Sequence, residues 1–126
     1  MTKKDVKEPE AYRIIYASPP WDLDDEQLKK HRVGGRLVKD VTDRNAVLFL
    51  WVPSPSLERC FAIIEAWGFE YKSSLVWDKV NHVPGPYNAI RHEFLLIATK
   101  GSCKPDVRKL IDSVQSFNLG DRGKKK

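Results

Sequence analysis

Cysteine, methionine and histidine are scarce in this chain of 126 residues, which holds 2, 1 and 3 of them. Cys60 and Cys103 stand far apart and form no C-x-x-C pair, so neither a disulfide framework nor a zinc site is expected, and both should be reduced thiols. His31, His82 and His92 have neither H-E-x-x-H nor any other ligand spacing, so no metal is expected. No apolar run approaches the roughly 20 residues that cross a bilayer. The opening Met1-Thr2-Lys3-Lys4-Asp5 leads into charge rather than into a signal-peptide core. A cytoplasmic protein without membrane contact is the expectation. Internal repeats and low-complexity tracts are missing too, which excludes solenoids and linker-like polypeptides.

What is present suits one folded domain. Hydrophobic residues make up 41%, with Trp 4, Tyr 4 and Phe 5, enough apolar material to offset chain entropy. A two-domain enzyme is excluded by length. The net charge of +5 favours a polyanionic partner, but Lys124-Lys125-Lys126 supplies much of the excess, so basicity supports nucleic acid only weakly.

The pattern divides the chain into a loose lead-in over 1–11, an α/β domain over 12–117 and a basic, frayed tail over 118–126. Tyr12-Arg13-Ile14-Ile15-Tyr16-Ala17 is a short β-rich run that Pro19 and Pro20 must end. Asp24, Asp25 and Glu26 ahead of Lys29 and Lys30 have the charge order of a short, exposed helix, which Gly34 and Gly35 break. Residues 46–52 are continuously apolar up to Pro53, as in a central strand. Ser54 can cap, and Pro55 can open, a helix with the stripe Leu57, Cys60, Phe61, Ile64 and Trp67 before Gly68. Strands are expected over 71–77 and 93–99, with a surface loop over 81–87 around Pro84, Gly85 and Pro86. Val107, Leu110, Ile111 and Val114 could line one more short helix. This alternation predicts an α/β fold with a mainly parallel sheet, in which 14–16, 47–52 and 94–98 are central buried strands.

The sharpest local feature is Ser18-Pro19-Pro20-Trp21 at the carboxyl end of the first strand, the position where open α/β sheets bind ligands. Two prolines remove two backbone donors and leave carbonyl oxygens as acceptors. Trp21 offers a flat face for a base. An exocyclic amine is a poor nucleophile because its lone pair is delocalised into the ring. Accepting hydrogen bonds from its N–H groups while the ring is held would localise that pair and aim it at an electrophilic methyl. Taken alone, the tetrapeptide equally describes a stiff connection packed by a tryptophan.

The blocks Ile-Ile-Tyr-Ala-Ser-Pro-Pro-Trp (14–21), Leu-Phe-Leu-Trp-Val (48–52), Ala-Trp-Gly-Phe-Glu-Tyr (66–71), Leu-Val-Trp-Asp-Lys (75–79) and Arg-His-Glu-Phe-Leu-Leu-Ile-Ala-Thr-Lys-Gly (91–101) occur in this order. Together they resemble the adenine-N6 methyltransferases typified by the catalytic subunit of the messenger-RNA adenine methyltransferase, particularly the bacterial and bacteriophage DNA-modifying members. The resemblance covers about 12–116. It implies a Rossmann-like methyltransferase fold, S-adenosylmethionine as methyl donor, and a flipped-out adenine held at Ser18, Pro19, Pro20 and Trp21, with Ser18 also facing the cofactor. Ser18 stands where the family usually has Asp. A hydroxyl is a weaker acceptor than a carboxylate, and Ser is familiar among cytosine-N4 enzymes, so the target base stays open between adenine and cytosine. Members of the family continue into a Lys-Pro-Glu helix, a further strand and a Gly-Asn segment that supply most of the cofactor pocket. The chain is therefore expected to be the front part of the domain, truncated or degenerate, with an incomplete pocket.

Other candidates have plainer readings beside the functional one. Trp51, Trp67 and Trp77 lie in apolar contexts and are expected in the core. Glu93 either faces the site, as the resemblance implies, or is a solvated strand end. Asp78 and Lys79 can reach a phosphate or cofactor, or form an exposed ion pair. Tyr87 and Arg91 in the 81–91 stretch are candidate nucleic-acid contacts. The function expected is nucleic-acid amino-methylation, adenine-N6 and on DNA rather than RNA. The rival is an inactive relative that binds nucleic acid or a partner methyltransferase subunit.

Overall fold

The computed structural model of the chain describes residues 11–103 and 112–116. The expected lead-in up to residue 10, the stripe residues Val107, Leu110 and Ile111, and the basic tail over 118–126 lie outside the described residues. In chain order the elements are β1 (Tyr12–Ala17), α1 (Asp25–Lys29), β2 (Arg32–Val33), β3 (Arg36–Leu37), α2 (Val38–Val41), β4 (Thr42–Pro53), a 3-10 turn (Ser54–Ser56), α3 (Leu57–Ala66), β5 (Glu70–Pro84), β6 (Ala89–Lys100) and β7 (Val114–Ser116). Five strands form one sheet in the order β1-β4-β6-β5-β7, and β2 and β3 pair separately.

The apolar run over 46–52 does form a central strand. Every second residue of it, Ala46, Leu48, Leu50 and Val52, is fully buried, as are Leu96 and Ala98 beside it on β6. Helix α3 covers this face with Cys60, Ile63 and Ile64, followed by Trp67, whose Nε1–H donates to the Leu28 carbonyl at 3.0 Å. Each large aliphatic side chain sealed there contributes roughly 1.5–3 kcal/mol. Gly68 ends the helix at φ 90°, where its amide donates to Glu65 O at 2.9 Å and the next amide, from Phe69, donates to Ile64 O. The sequence misplaces two details of α3. Ser54 opens the 3-10 turn instead of capping the helix, and Phe61 is exposed, edge-on to Tyr71.

Several expectations need correction. The sheet is mixed rather than mainly parallel: β1 with β4 and β5 with β7 are parallel, whereas β6 runs antiparallel to both β4 and β5. The reason is local, because a turn at Gly85–Asn88, closed by the Gly85 amide on Asn88 O, joins β5 directly to β6 and only antiparallel neighbours can be linked so briefly. The expected loop over 81–87 is thus largely hairpin, with Val83 facing Ile90 and Pro84 facing Ala89. Strand β1 is not central. Among the described residues it has β4 as its one sheet neighbour, and although Ile15 is buried, Ile14 and Tyr16 are each 67% exposed. The helices lie on one face of the sheet, so Val47, Phe49 and Trp51 on the other face are half-buried. Val114 belongs to β7 and not to a helix. The polar stretch after Trp21 is anchored by Leu28, which is completely buried, and Asp24 caps α1 through a reciprocal bond pair with Gln27.

Candidate active site

Strand β1 ends with Ala17 opposite Leu50 of the parallel β4, which runs on to Pro53, and the chain leaves β1 through Ser18 and Pro19. Ser18 and Pro20 are exposed, Pro19 is buried and Trp21 is half-buried. The turn tightens when the Leu23 amide donates to Pro20 O at 3.1 Å. No amide donor exists at either proline, and outside the regular elements the Pro19 carbonyl takes part in no described backbone hydrogen bond. A groove of about 350 Å³ runs along β1 to this turn, lined by Ile14, Tyr16, Ser18, Pro19, Val38 and Val41 among others.

Trp21 is fixed from two sides. Its Nε1–H donates to Trp51 O at 2.8 Å at the end of β4, and the Arg59 guanidinium stands 5.8 Å from the ring centroid. The same guanidinium donates through Nε to Asp25 Oδ1 at 2.8 Å, through Nη1 to Trp21 O at 2.6 Å and through Nη2 to Leu23 O. Trp51 in turn donates its Nε1–H to the Tyr16 hydroxyl at 2.5 Å and meets Trp77 edge-on.

The antiparallel register brings the remaining candidates to the same end of the sheet. Pro53, the last residue of β4, faces Glu93 on β6, and Glu93 faces Trp77 on β5. The β5–β6 hairpin therefore projects past the strand end where Ser18–Trp21 sits, with Tyr87 at its turn 97% exposed. Glu93 is engaged by Lys79 at 2.7 Å, and Asp78 accepts from Arg91 at 3.1 Å and from Ser116 Oγ at 3.3 Å. Asp78 and Lys79 thus pair across the hairpin instead of with each other. Between them and the turn the ladder is interrupted from Asp78 to Val83, and Val80 adopts φ 73° while its amide donates to Asp78 Oδ1. A β-branched residue in that region is a true outlier, costing on the order of 1–3 kcal/mol.

Of the tryptophans expected in the core, Trp67 is there at 1% exposure, while Trp51 and Trp77 are half-buried on the face opposite the helices. Burial pushes the Cys60 thiol up to about 11, so it is no nucleophile at neutral pH. Among the described residues no three His, Cys, Asp or Glu side chains gather, and no helix is long and apolar enough to cross a membrane. Sequence reasoning missed Arg59 and the Tyr16–Trp51 link. The one signal for Arg59 was a cation inside an otherwise apolar helix face, next to Cys60.

Residues 12–119 match the MT-A70 family. The type II methyltransferase M.MunI from a Mycoplasma species is 31% identical over 120 residues, an alignment that takes in 71% of this chain and 52% of that protein. The N(6)-adenosine-methyltransferase catalytic subunit METTL3 of Homo sapiens is 26% identical over 118 residues, covering 86% of this chain and 19% of that protein. The METTL3 subunit of Danio rerio is 24% identical over 118 residues, with the same 86% and 19% coverage. The chain thus spans about half the length of the first of these relatives and a fifth of the others.

Proposed function

The chain belongs to the MT-A70 family of methyltransferases, with its Rossmann-like α/β architecture, and from that membership we propose that it acts in S-adenosylmethionine-dependent amino-methylation of nucleic acid, at adenine N6 and on DNA. The observation that carries the reading is the turn at Ser18–Trp21: a pair of donor-free residues at the carboxyl end of a parallel strand, beside a half-buried indole. Its chemistry suits an aromatic amine. The Ser18 hydroxyl and the Pro19 carbonyl accept hydrogen bonds from the two N–H groups of the amine, which localises the nitrogen lone pair and turns it away from the turn. The indole of Trp21 restrains the ring of the base, and the exposed Tyr87 and the Asp78-paired Arg91 on the hairpin meet the adjoining strand. Glu93, held by Lys79, orders the near edge of the hairpin.

When bound, S-adenosylmethionine would supply its sulfonium-bound methyl group to the amine, the S–C bond breaking to leave the neutral thioether S-adenosylhomocysteine and the methylated nitrogen releasing one proton to water. The groove along β1 fits one part of that molecule: apolar walls from Ile14, Val38 and Val41, with the Ser18 hydroxyl at the end, suit an aromatic ring carrying an amino group. Among the described residues no acidic side chain lines the groove, so none of them offers a carboxylate to a ribose there. The choice of DNA rests on the resemblance of the five ordered blocks to the bacterial and bacteriophage DNA-modifying members, and a partner methyltransferase subunit and a cytoplasmic location are part of the same proposal.

A second reading, a member that holds a base without transferring methyl, is favoured by one residue. Ser18 is a neutral acceptor, and hydrogen bonds to charged groups are roughly twice as strong as those to neutral ones. Incubation with trideuteromethyl S-adenosylmethionine and either DNA or RNA, followed by nucleoside mass spectrometry, separates the possibilities. Labelled N6-methyladenine in DNA is expected. Adenine-selective binding without label would select the second reading, and label confined to cytosine or to RNA would replace the substrate assignment.

A further inference from the structure

A turn containing two consecutive prolines has lost the amide donors that would ordinarily organise its own carbonyls. In this protein the carbonyls that follow the proline pair are taken by one side chain from another element. Arg59 on α3 donates to both Trp21 O and Leu23 O, its Nε is held by Asp25 Oδ1 at 2.8 Å, and its plane lies near the Trp21 ring. The Arg59 side chain is partly exposed, at 28%, but Nε, Nη1 and Nη2 are each committed to an oxygen of the protein, so the guanidinium is poorly placed to meet solvent-borne phosphate. Only arginine can do all of this at once. Its planar fork presents donors in a fixed geometry to two carbonyls and a carboxylate, and it stacks on an aromatic ring, whereas a lysine ammonium is a point donor that reaches one of these partners well.

The partners are chosen in a way that matters for the site. The clamp grips the turn immediately after Pro20, and among the described residues neither the Ser18 hydroxyl nor the Pro19 carbonyl is drawn into it. At the far edge of Trp21 the Trp51 carbonyl completes the restraint. Position along the chain and orientation of the indole are thereby both defined, and a base held by stacking and two hydrogen bonds needs tolerances of a fraction of an ångström. We propose that Arg59 is a positioning residue for base selection: it orients Trp21 and the Ser18–Pro19 acceptors so that an aromatic amine is preferred over a carbonyl-bearing base, a role that rests on the base-holding reading above.

The test measures selectivity, since a merely structural role would lower stability or overall affinity without changing it. Fluorescence anisotropy with single-stranded DNA twelve nucleotides long, carrying either one central adenine or one central thymine in an otherwise abasic stretch, gives the adenine-to-thymine affinity ratio of the wild type. Arg59→Lys, shown to be folded by its far-UV spectrum and melting curve, is expected to lose that preference by about tenfold while the salt dependence of binding stays the same. The indole Nε1–H resonance of Trp21, assigned through Trp21→Phe, should shift or broaden alongside. Should Arg59→Lys fail to fold, Asp25→Asn loosens the guanidinium without touching the turn and should reduce the ratio several-fold. If the wild type prefers adenine and the folded variant keeps the ratio within twofold, Arg59 has no positioning role, although the base-holding reading stands. Equal weakening on both strands, with the salt slope reduced by about one, would make Arg59 a phosphate contact and overturn the proposal. A wild type without adenine preference would overturn both this role and the reading beneath it.

Discussion

Replacing Trp21 with alanine separates a base-holding indole from a packing one. Stacking of a base on an aromatic side chain is worth about 1–3 kcal/mol in single-strand binders. Here the Arg59 guanidinium stands 5.8 Å from the centroid of the Trp21 ring, Trp51 O holds its edge and the half-buried ring packs partly against the core, so a base can meet only part of its surface and the lower half of that range applies. About 1–2 kcal/mol corresponds to a roughly 5- to 30-fold weaker dissociation constant. Trp67→Phe is the matched control. It deletes the bond from Nε1 to Leu28 O, but that carbonyl keeps the His31 amide at 3.1 Å, so it is not orphaned. The loss is therefore a net hydrogen bond of about 1 kcal/mol plus about 1–2 kcal/mol for the smaller ring, all in stability and none in binding. Anisotropy titrations of a labelled adenine-containing single strand at fixed salt, paired with urea denaturation of each variant, supply both numbers. Trp21→Ala within twofold of wild-type affinity, or an equal loss in folded Trp67→Phe, would remove Trp21 from the site.

Other outcomes follow from particular contacts. Gly101 sits at φ 70°, where a Cβ would strike the Arg44 carbonyl and Asn45 Oδ1, and Asn45 already caps the Ser102 amide at 2.8 Å. Gly101→Ala should cost about 2–4 kcal/mol by denaturant titration, and a cost under 1 kcal/mol would mean that the β6 terminus relaxes freely. The Cys60 thiol is raised to about 11 from an ordinary 9.0, so its contribution to stability is complete below pH 9 and disappears as pH rises through 11, with a ceiling of roughly 3 kcal/mol. Burial lowers the Lys100 pKa and works in the opposite sense, so the Cys60 share is read as the difference between wild type and Cys60→Ala, whose stability should decline less above pH 9. The 126 residues alone should bind S-adenosylmethionine no more tightly than high micromolar, because the groove beside Ser18 is open and a cofactor of that size is ordinarily enclosed over most of its surface. Ser18→Asp should leave that affinity nearly unchanged, and low-micromolar binding in calorimetry would refute the reasoning.

Local pattern carried some features well and failed on others for identifiable reasons. The run over 46–52 and the stripe from Leu57 to Trp67 became β4 and α3 because continuous apolarity and helical spacing are properties of neighbouring residues. The turn after β1 was likewise legible, since two prolines cannot continue a strand. An apolar run implies burial but does not say by what. The run Tyr12–Ala17 therefore reads as a strand inside the sheet, whereas among the described residues it lies at the edge with Ile14 and Tyr16 exposed. Pro84, Gly85 and Pro86 concealed a hairpin because the missing donor of Pro84 falls at the last rung of the ladder, where it disturbs little. Arg59 could not be found locally, as its partners Asp25, Trp21 and Leu23 are 34, 38 and 36 residues away in sequence.

The measurement closest to the central claim is transfer of a trideuteromethyl group at millimolar S-adenosylmethionine, well above the weak affinity expected, with DNA and RNA of matched sequence as acceptors. Nucleoside mass spectrometry should find labelled N6-methyladenine in the DNA, and Trp21→Ala should reduce it by at least the 5- to 30-fold expected from the lost stacking contact. Label confined to cytosine or to RNA would contradict the assignment of the substrate, and the absence of label together with equal affinity for adenine and thymine strands would contradict the function itself.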